Sequence, residues 1–167
     1  LPTGQIIFLR GLSATVLIAA LAVALGVWRQ MPAVMSRPVL WRASIDSLGT
    51  FLYLLALFNL PIANVTAINL SVPLMLTVCA AFILREQVGW RRWSAVGAGF
   101  LGVVLVVQPA ASGFNWFAFL ALAATATHAA RDLITRRISP AIPSIVVTLS
   151  TAVVVTIAAA IVSSIEG

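Results

Sequence analysis

The sequence predicts an all-α integral membrane protein, a polytopic bundle of six transmembrane helices, and three observations carry that prediction. Apolar residues make up 62% of the 167-residue chain and charged residues 8%, with a mean hydropathy of +1.11, outside the range of water-soluble domains. The apolar residues fall into six segments, about 6–28, 43–60, 62–84, 93–108, 114–134 and 142–163, most of them near the ~20 residues a spanning helix needs. Nine of the ten arginines stand in every second gap between those segments or, for Arg131, in the last turn before it. The net charge of +6, reached without a lysine, is therefore a topological signal and not a nucleic-acid surface.

The first segment counts as a span because nothing basic precedes Ile6, as a secretory signal would require. It carries Arg10 a turn or two inside the apolar run. Such an arginine is either a ligand for an anionic or polar headgroup or a helix carbonyl, or a side chain that snorkels to the outer interface. On a separate face Gly4, Gly11, Thr15 and Ala22 recur at heptad-like spacing, a small-residue groove for close helix contact. The second segment sets Asp46, Thr50 and Tyr53 on one face. Asp46 is a candidate for binding a cation or carrying a proton; alternatively it is an acid in a first helical turn that offsets the dipole, with Ser44 as cap and Arg42 one turn back.

At Asn59-Leu60-Pro61 an apolar stretch too long for one helix divides into two joined by a tight turn. The third segment follows, and at about 100° per residue its Thr66, Asn69, Pro73 and Thr77 share one stripe. Pro73 has no amide hydrogen to give the carbonyl of Asn69, so a continuous helix would free a backbone acceptor at mid-membrane beside two hydroxyls and an amide. The stripe is either a packing kink satisfied by a neighbouring helix or the lining of a substrate site. Cys79, the one cysteine, lies in this span and excludes an intrachain disulfide.

The fourth segment pairs Ala95 with Gly99 and Ala98 with Gly102, small residues spaced to let backbones touch. In the fifth, His128 precedes Asp132 by one turn on the face of Ala121 and Thr125. The two either relay a proton or hold substrate at the cytoplasmic mouth, or else Asp132 pairs with Arg136 at i,i+4 and His128 is an interfacial hydrogen-bonding residue. The sixth offers Ser144, Thr148 and Thr151 on one stripe, hydroxyls that can bond within their own helix.

Charge tests the count of spans. Arg29, Arg37 and Arg42 follow the first segment, Arg85, Arg91 and Arg92 the third, and Arg131, Arg136 and Arg137 close the fifth. Six spans put all nine on one side, the cytoplasm, with both ends of the chain outside; five or seven scramble the pattern. Leu1-Pro-Thr and Ile142-Pro-Ser open segments five spans apart, as inverted-topology counterparts would. The start at Leu1 and the end just past an apolar run suggest a piece of a longer chain. One histidine, one cysteine and no HExxH or GxSxG pattern leave no catalytic set, so an enzyme, a cofactor and a metal site are not expected.

Three stretches resemble the EamA-type repeats of the drug/metabolite transporter superfamily: Pro2-Thr-Gly-Gln-Ile-Ile-Phe-Leu-Arg10, Ala67 to Glu86 with Pro73 and the terminal Glu86, and Gly97-Ala-Gly-Phe-Leu-Gly102. By that resemblance residues 1–109 match a first repeat lacking its first helix, and residues 114–167 the start of a second, within a ten-helix (5+5) inverted-repeat transporter with a central cavity. It implies alternating-access transport of small metabolites or drugs, in either direction, across a bacterial inner membrane. Carried onto this chain, the cavity would be lined by Arg10, Tyr53, Asn69, Pro73 and His128, joined by Thr66 and Thr77 from the same stripe. Asp46 and Asp132 are candidates for ion or proton coupling, and Glu86 for a structural ion pair at the cytoplasmic end. The expected partners are a small-molecule substrate, the lipid bilayer and the remaining helices of the same chain, with a homo-oligomer left open. A non-transporting membrane subunit or scaffold is the alternative; it would have no use for polar groups at mid-membrane.

Overall fold

The structure, a computed structural model, describes residues 3–107 and 116–166. Among them every regular element is helical: α1 (Thr3–Ala24), a 3-10 helix (Val27–Met35), α2 (Arg37–Asn59), α3 (Ile62–Asn69), α4 (Val72–Ile83), α5 (Trp90–Val107), α6 (Trp116–Thr135) and α7 (Ser144–Glu166). The ends predicted at Gln108 and Phe114 lie outside the described residues. The chain forms two compact units, Leu1–Ser47 with Ile134–Gly167, and Leu48–Leu133.

In the first unit α1 packs extensively along α7. The contact is made by the groove that the sequence marks. Gly11 and Ala22 are buried, and a Cβ on Gly11 would stand 2.5 Å from the Thr156 hydroxyl. Thr15 and Thr156 meet at 3.2 Å between hydroxyls, and each also donates into its own helix, to the carbonyls of Gly11 and Ala152. The surroundings of Gly4 lie outside the described residues. Helix α1 ends earlier than the apolar run, because Gly26 takes φ +69°, a left-handed turn that only glycine enters without cost.

The predicted loop from Arg29 to Arg42 is mostly helical. It forms the 3-10 helix, whose Val34 carbonyl accepts from Ser150 Oγ on α7 at 3.1 Å, and the first turns of α2. Ser36 is extended at ψ 140° and Pro38 falls in the first turn of α2, where its missing N–H costs nothing. Helix α2 therefore begins six residues before the apolar segment at Ala43. Arg42 lies inside it and reaches two other elements, with Nε donating to Thr135 Oγ1 at 2.8 Å and Nη1 to Thr151 Oγ1 at 2.6 Å.

In the second unit α2 ends at Asn59, whose side-chain amide donates to the Leu55 carbonyl at 2.8 Å, and α3 starts after Pro61, so the turn falls where the sequence sets it. Helix α5 packs on α3 and α4, where Gly99 fits beneath Leu74; a Cβ there would collide with Leu74 Cδ1. Gly102 lines a shallow apolar depression of about 320 Å³ between α3, α4 and α5. Helix α4 closes at Arg85, which adopts φ +52°, and Glu86 N–H points back to the Ala80 carbonyl at 3.4 Å.

The third predicted span departs from the sequence reading. It is not one helix kinked at Pro73 but two helices broken at Leu70-Ser71. A proline inside a helix removes a bond and collides with the carbonyl four residues back, whereas in a first turn it does neither. The chain takes the second solution: Pro73 stands in the first turn of α4 after Ser71. The acceptor that collects extra donors is then Ile68, not Asn69. Its carbonyl receives Ser71 N–H at 3.0 Å, Ser71 Oγ at 2.5 Å and Thr125 Oγ1 at 3.4 Å.

Many small side chains are buried beside Val39, Val65, Ile68 and Val146, while many large apolar ones are exposed. Ala22, Ala43, Ala56, Ala121, Ala124, Ala129 and Ala159 are buried with Ser71, Thr125 and Ser150, while Leu17, at 70% relative exposure, Phe82, Trp90 and Leu105 point outward. That is the reverse of a water-soluble core and the arrangement of helices that associate in lipid. Among the described residues, three helical stretches are long and apolar enough to cross a membrane: Gln5–Ala24, Ile62–Ile83 taken through its break, and Ser144–Ser164. Helices α2, α5 and α6, of 23, 18 and 20 residues, carry charges near one end: Arg37, Arg42 and Asp46, then Arg91 and Arg92, then Arg131 and Asp132.

Candidate functional site

The residues that converge are Tyr53, Asn69 and His128, one from each of α2, α3 and α6 in the second unit. His128 Nδ1 lies 3.4 Å from Asn69 Oδ1, and the rings of Tyr53 and His128 are 6.5 Å apart between centroids at an angle of 49°. All three are half-buried. An amide oxygen only accepts, so a hydrogen bond across this distance has the imidazole donating from Nδ1.

Local structure explains the meeting. Asn69 is the last residue of α3, set there by the break that Pro73 and Ser71 impose, so its amide stands at a helix end. Thr125, fully buried, donates to the Ala121 carbonyl at 2.9 Å and stands 3.4 Å from the Ile68 carbonyl, a weaker shared contact that links α6 to the break. A cluster of Ala56, Val65, Ile68 and Ala121 packs beneath, with Tyr53 against it. The polar trio is thus fixed on an apolar floor of small residues.

The other candidates are distributed differently. Thr66 and Pro73 are exposed and Thr77 is half-buried, with its hydroxyl donating to the Pro73 carbonyl at 3.0 Å; the buried side of the stretch is Val65, Ile68 and Ser71. Of the stripe, Asn69 is the member that joins Tyr53 and His128. Arg10 is exposed on α1 and has no hydrogen bond or ion pair with another described residue. Asp46 is buried, at 9% relative exposure, in the third turn of α2 and not its first, because the helix starts at Arg37; a dipole role at the N-terminus does not account for it. Asp132 is engaged by its neighbour Arg131, with Nε at 2.9 Å and Nη2 at 2.8 Å from the same carboxylate oxygen, a partner that i,i+4 spacing does not point to. His128 turns instead toward α2 and α3.

Sequence reasoning passed over Ser71 and the bond from Thr125 to the break. The signal was present in the order Ser-Val-Pro, a cap-type residue two positions before a proline, which is a helix start.

Comparison with known proteins adds a family to this geometry. The model of the EamA-like transporter family matches residues 1–108. Among curated proteins, the riboflavin transporter of Rhizobium johnstonii is 31% identical over 100 residues, 60% of this chain and 33% of that protein. The riboflavin transporter of Vibrio cholerae is 33% identical over 101 residues, 60% of this chain and 34% of that protein. The S-adenosylmethionine uptake transporter of Rickettsia bellii is 32% identical over 77 residues, 46% of this chain and 26% of that protein. The matched part of the chain thus spans about a third or less of the length of these relatives. No solved structure matches.

Proposed function

Because the chain belongs to the EamA-like transporter family, we propose that it forms part of a secondary transporter that moves small organic metabolites across the bacterial inner membrane by alternating access. In this reading six of its helices span the bilayer, α3 and α4 acting as one broken span, within a ten-helix protein of two inverted five-helix repeats. The loops bearing Arg37, Arg85 to Arg92 and Arg136 to Ser139 are cytoplasmic.

The observation that carries the reading is the junction of Tyr53, Asn69 and His128 at a broken helix. Interrupted helices with polar side chains at membrane depth are tolerated where they are buried in protein or line a solute path. The trio offers an aromatic face, an imidazole and an amide, and no carboxylate. That set suits a neutral, planar, hydrogen-bonding ring. Riboflavin and S-adenosylmethionine, the compounds that name the relatives, each carry a fused nitrogen heterocycle joined to a hydroxylated five-carbon unit, so a metabolite of that class is the proposed substrate. Arg10, lacking a partner among the described residues, is the proposed contact for an anionic group of the solute. Thr66, Pro73 and Thr77 extend the lining, and Asp46, buried in α2, and Asp132 are the proposed coupling acids.

The test is uptake and efflux by the full-length protein in proteoliposomes, with labelled riboflavin, S-adenosylmethionine and a panel of amino acids. Saturable movement of a ring-bearing metabolite, lost in His128→Ala and Asn69→Ala, is the expected outcome. Binding without movement would make the protein a membrane subunit, and movement of amino acids alone would remove the ring from the account.

A further inference from the structure

Gly49 stands in the interior of α2, where glycine is a poor helix former, and it is buried. It precedes Tyr53 by one turn on the same face. The reason for a glycine there is visible in what a side chain would meet. A Cβ at Gly49 would stand 2.5 Å from Thr127 Oγ1, 2.8 Å from His128 Cδ2 and 2.9 Å from His128 Nε2. The Thr127 hydroxyl is bound into its own helix at 2.7 Å from the Ala124 carbonyl.

In an imidazole the Nε2–Cδ2 bond lies opposite Nδ1. The ring of His128 therefore has Gly49 against its Nε2–Cδ2 edge and Asn69 facing Nδ1, 3.4 Å away. Room at one edge sets the contact at the other. We propose that Gly49 is the positioning residue of this site, the notch that seats the His128 ring and aims its Nδ1–H at Asn69. A methyl group in the notch leaves the ring two exits, into Asn69 or out by rotation of its side chain, and both break the Nδ1–Asn69 geometry. The positioning of the ring stands by itself; its consequence for transport rests on the proposed function.

Full-length transporter with ring-¹⁵N-labelled histidine, its His128 signal assigned with His128→Asn, separates the two. The wild-type ring is expected as the Nδ1–H tautomer, and Gly49→Ala is expected to shift it to a mixed population, as Asn69→Ala does. Gly49→Ala/Thr127→Ala removes the collision with the hydroxyl and keeps the one with the ring, so it serves if the single variant does not fold, and it should show the same mixed population. Uptake of labelled riboflavin, the probe, is expected to fall about tenfold in Gly49→Ala, the order of one hydrogen bond lost. Added to His128→Ala, the same substitution is expected to cost less than about twofold more, because the two act through one ring. A His128 signal identical to wild type in both Gly49 variants overturns the proposal, as does an undiminished loss from Gly49→Ala in the His128→Ala background. A shifted ring with uptake intact in every variant, His128→Ala included, supports the seat and overturns the substrate route.

Discussion

A histidine and an asparagine 59 residues apart meet here because a proline and a serine end a helix at the asparagine. Polar contacts at this depth have large consequences when broken, since a buried donor or acceptor left without its partner forfeits its desolvation cost. Asn69→Ala and His128→Ala should each reduce uptake by about tenfold or more, while Asn69→Asp, which keeps an acceptor for Nδ1–H, should retain more activity than Asn69→Ala. Arg10 has a sharper test in its conservative variant. A planar bidentate contact predicts that Arg10→Gln weakens substrate binding and Arg10→Lys recovers only part; a snorkelling side chain predicts that lysine serves as well. Saturation of substrate binding to the purified full-length protein distinguishes them. The sequence made His128, Asn69 and Tyr53 visible one at a time, as polar residues in apolar runs. It could not show that they meet, because no periodicity within one helix reports which face of another it touches.

Gly11 is one of the residues through which α1 meets α7. Gly11 lies so close to Thr156 that Gly11→Val should destabilise the protein by roughly 1–3 kcal/mol through overpacking, seen as earlier thermal aggregation in detergent, whereas Gly97→Ala, with nothing within 4 Å of the added Cβ, should have no such effect. Arg42 is the second such fastener. Its bonds to Thr135 and Thr151 join α2 to the end of α6 and to α7, and Arg42→Met should cost about 1.5–3 kcal/mol for each charge-assisted bond removed. At this scale the small-residue groove of α1 was legible, as was the turn at Asn59-Leu60-Pro61, because spacing and proline are local signals. The start of α2 and the break at Leu70-Ser71 were not read correctly. In both, a serine standing before a proline fixed the helix start, and apolarity alone placed the boundary at the first hydrophobic residue or carried it through. The consequence for Asp46 is direct: three turns into α2 instead of one, it ceases to be a dipole cap.

Across the described residues the helices bury many alanines together with serine and threonine and leave many leucines, phenylalanines and tryptophans exposed, an apolar exterior legible from composition and suited to a bilayer. Its orientation rests on the nine grouped arginines. In intact cells, single cysteines at Ser36 and Ser112 in a Cys79→Ala background should differ toward an impermeant thiol reagent, with Ser112→Cys the labelled one; labelling of Ser36→Cys instead would invert the topology. The central claim, that the broken span of α3 and α4 faces a solute path through Asn69, has one most direct measurement. Cysteines placed singly at Thr66, Asn69 and Thr77 of the cysteine-free full-length protein are exposed to a small water-soluble thiol reagent, with Ile68→Cys as the buried comparison. Thiolate forms in wet surroundings and poorly in lipid or packed protein, so the account predicts fast modification at the three, slow modification at Ile68→Cys, and protection of Asn69→Cys by the transported metabolite. Equal inertness along the stripe in a protein that still transports would contradict it, and would make the break at Pro73 a device of packing alone.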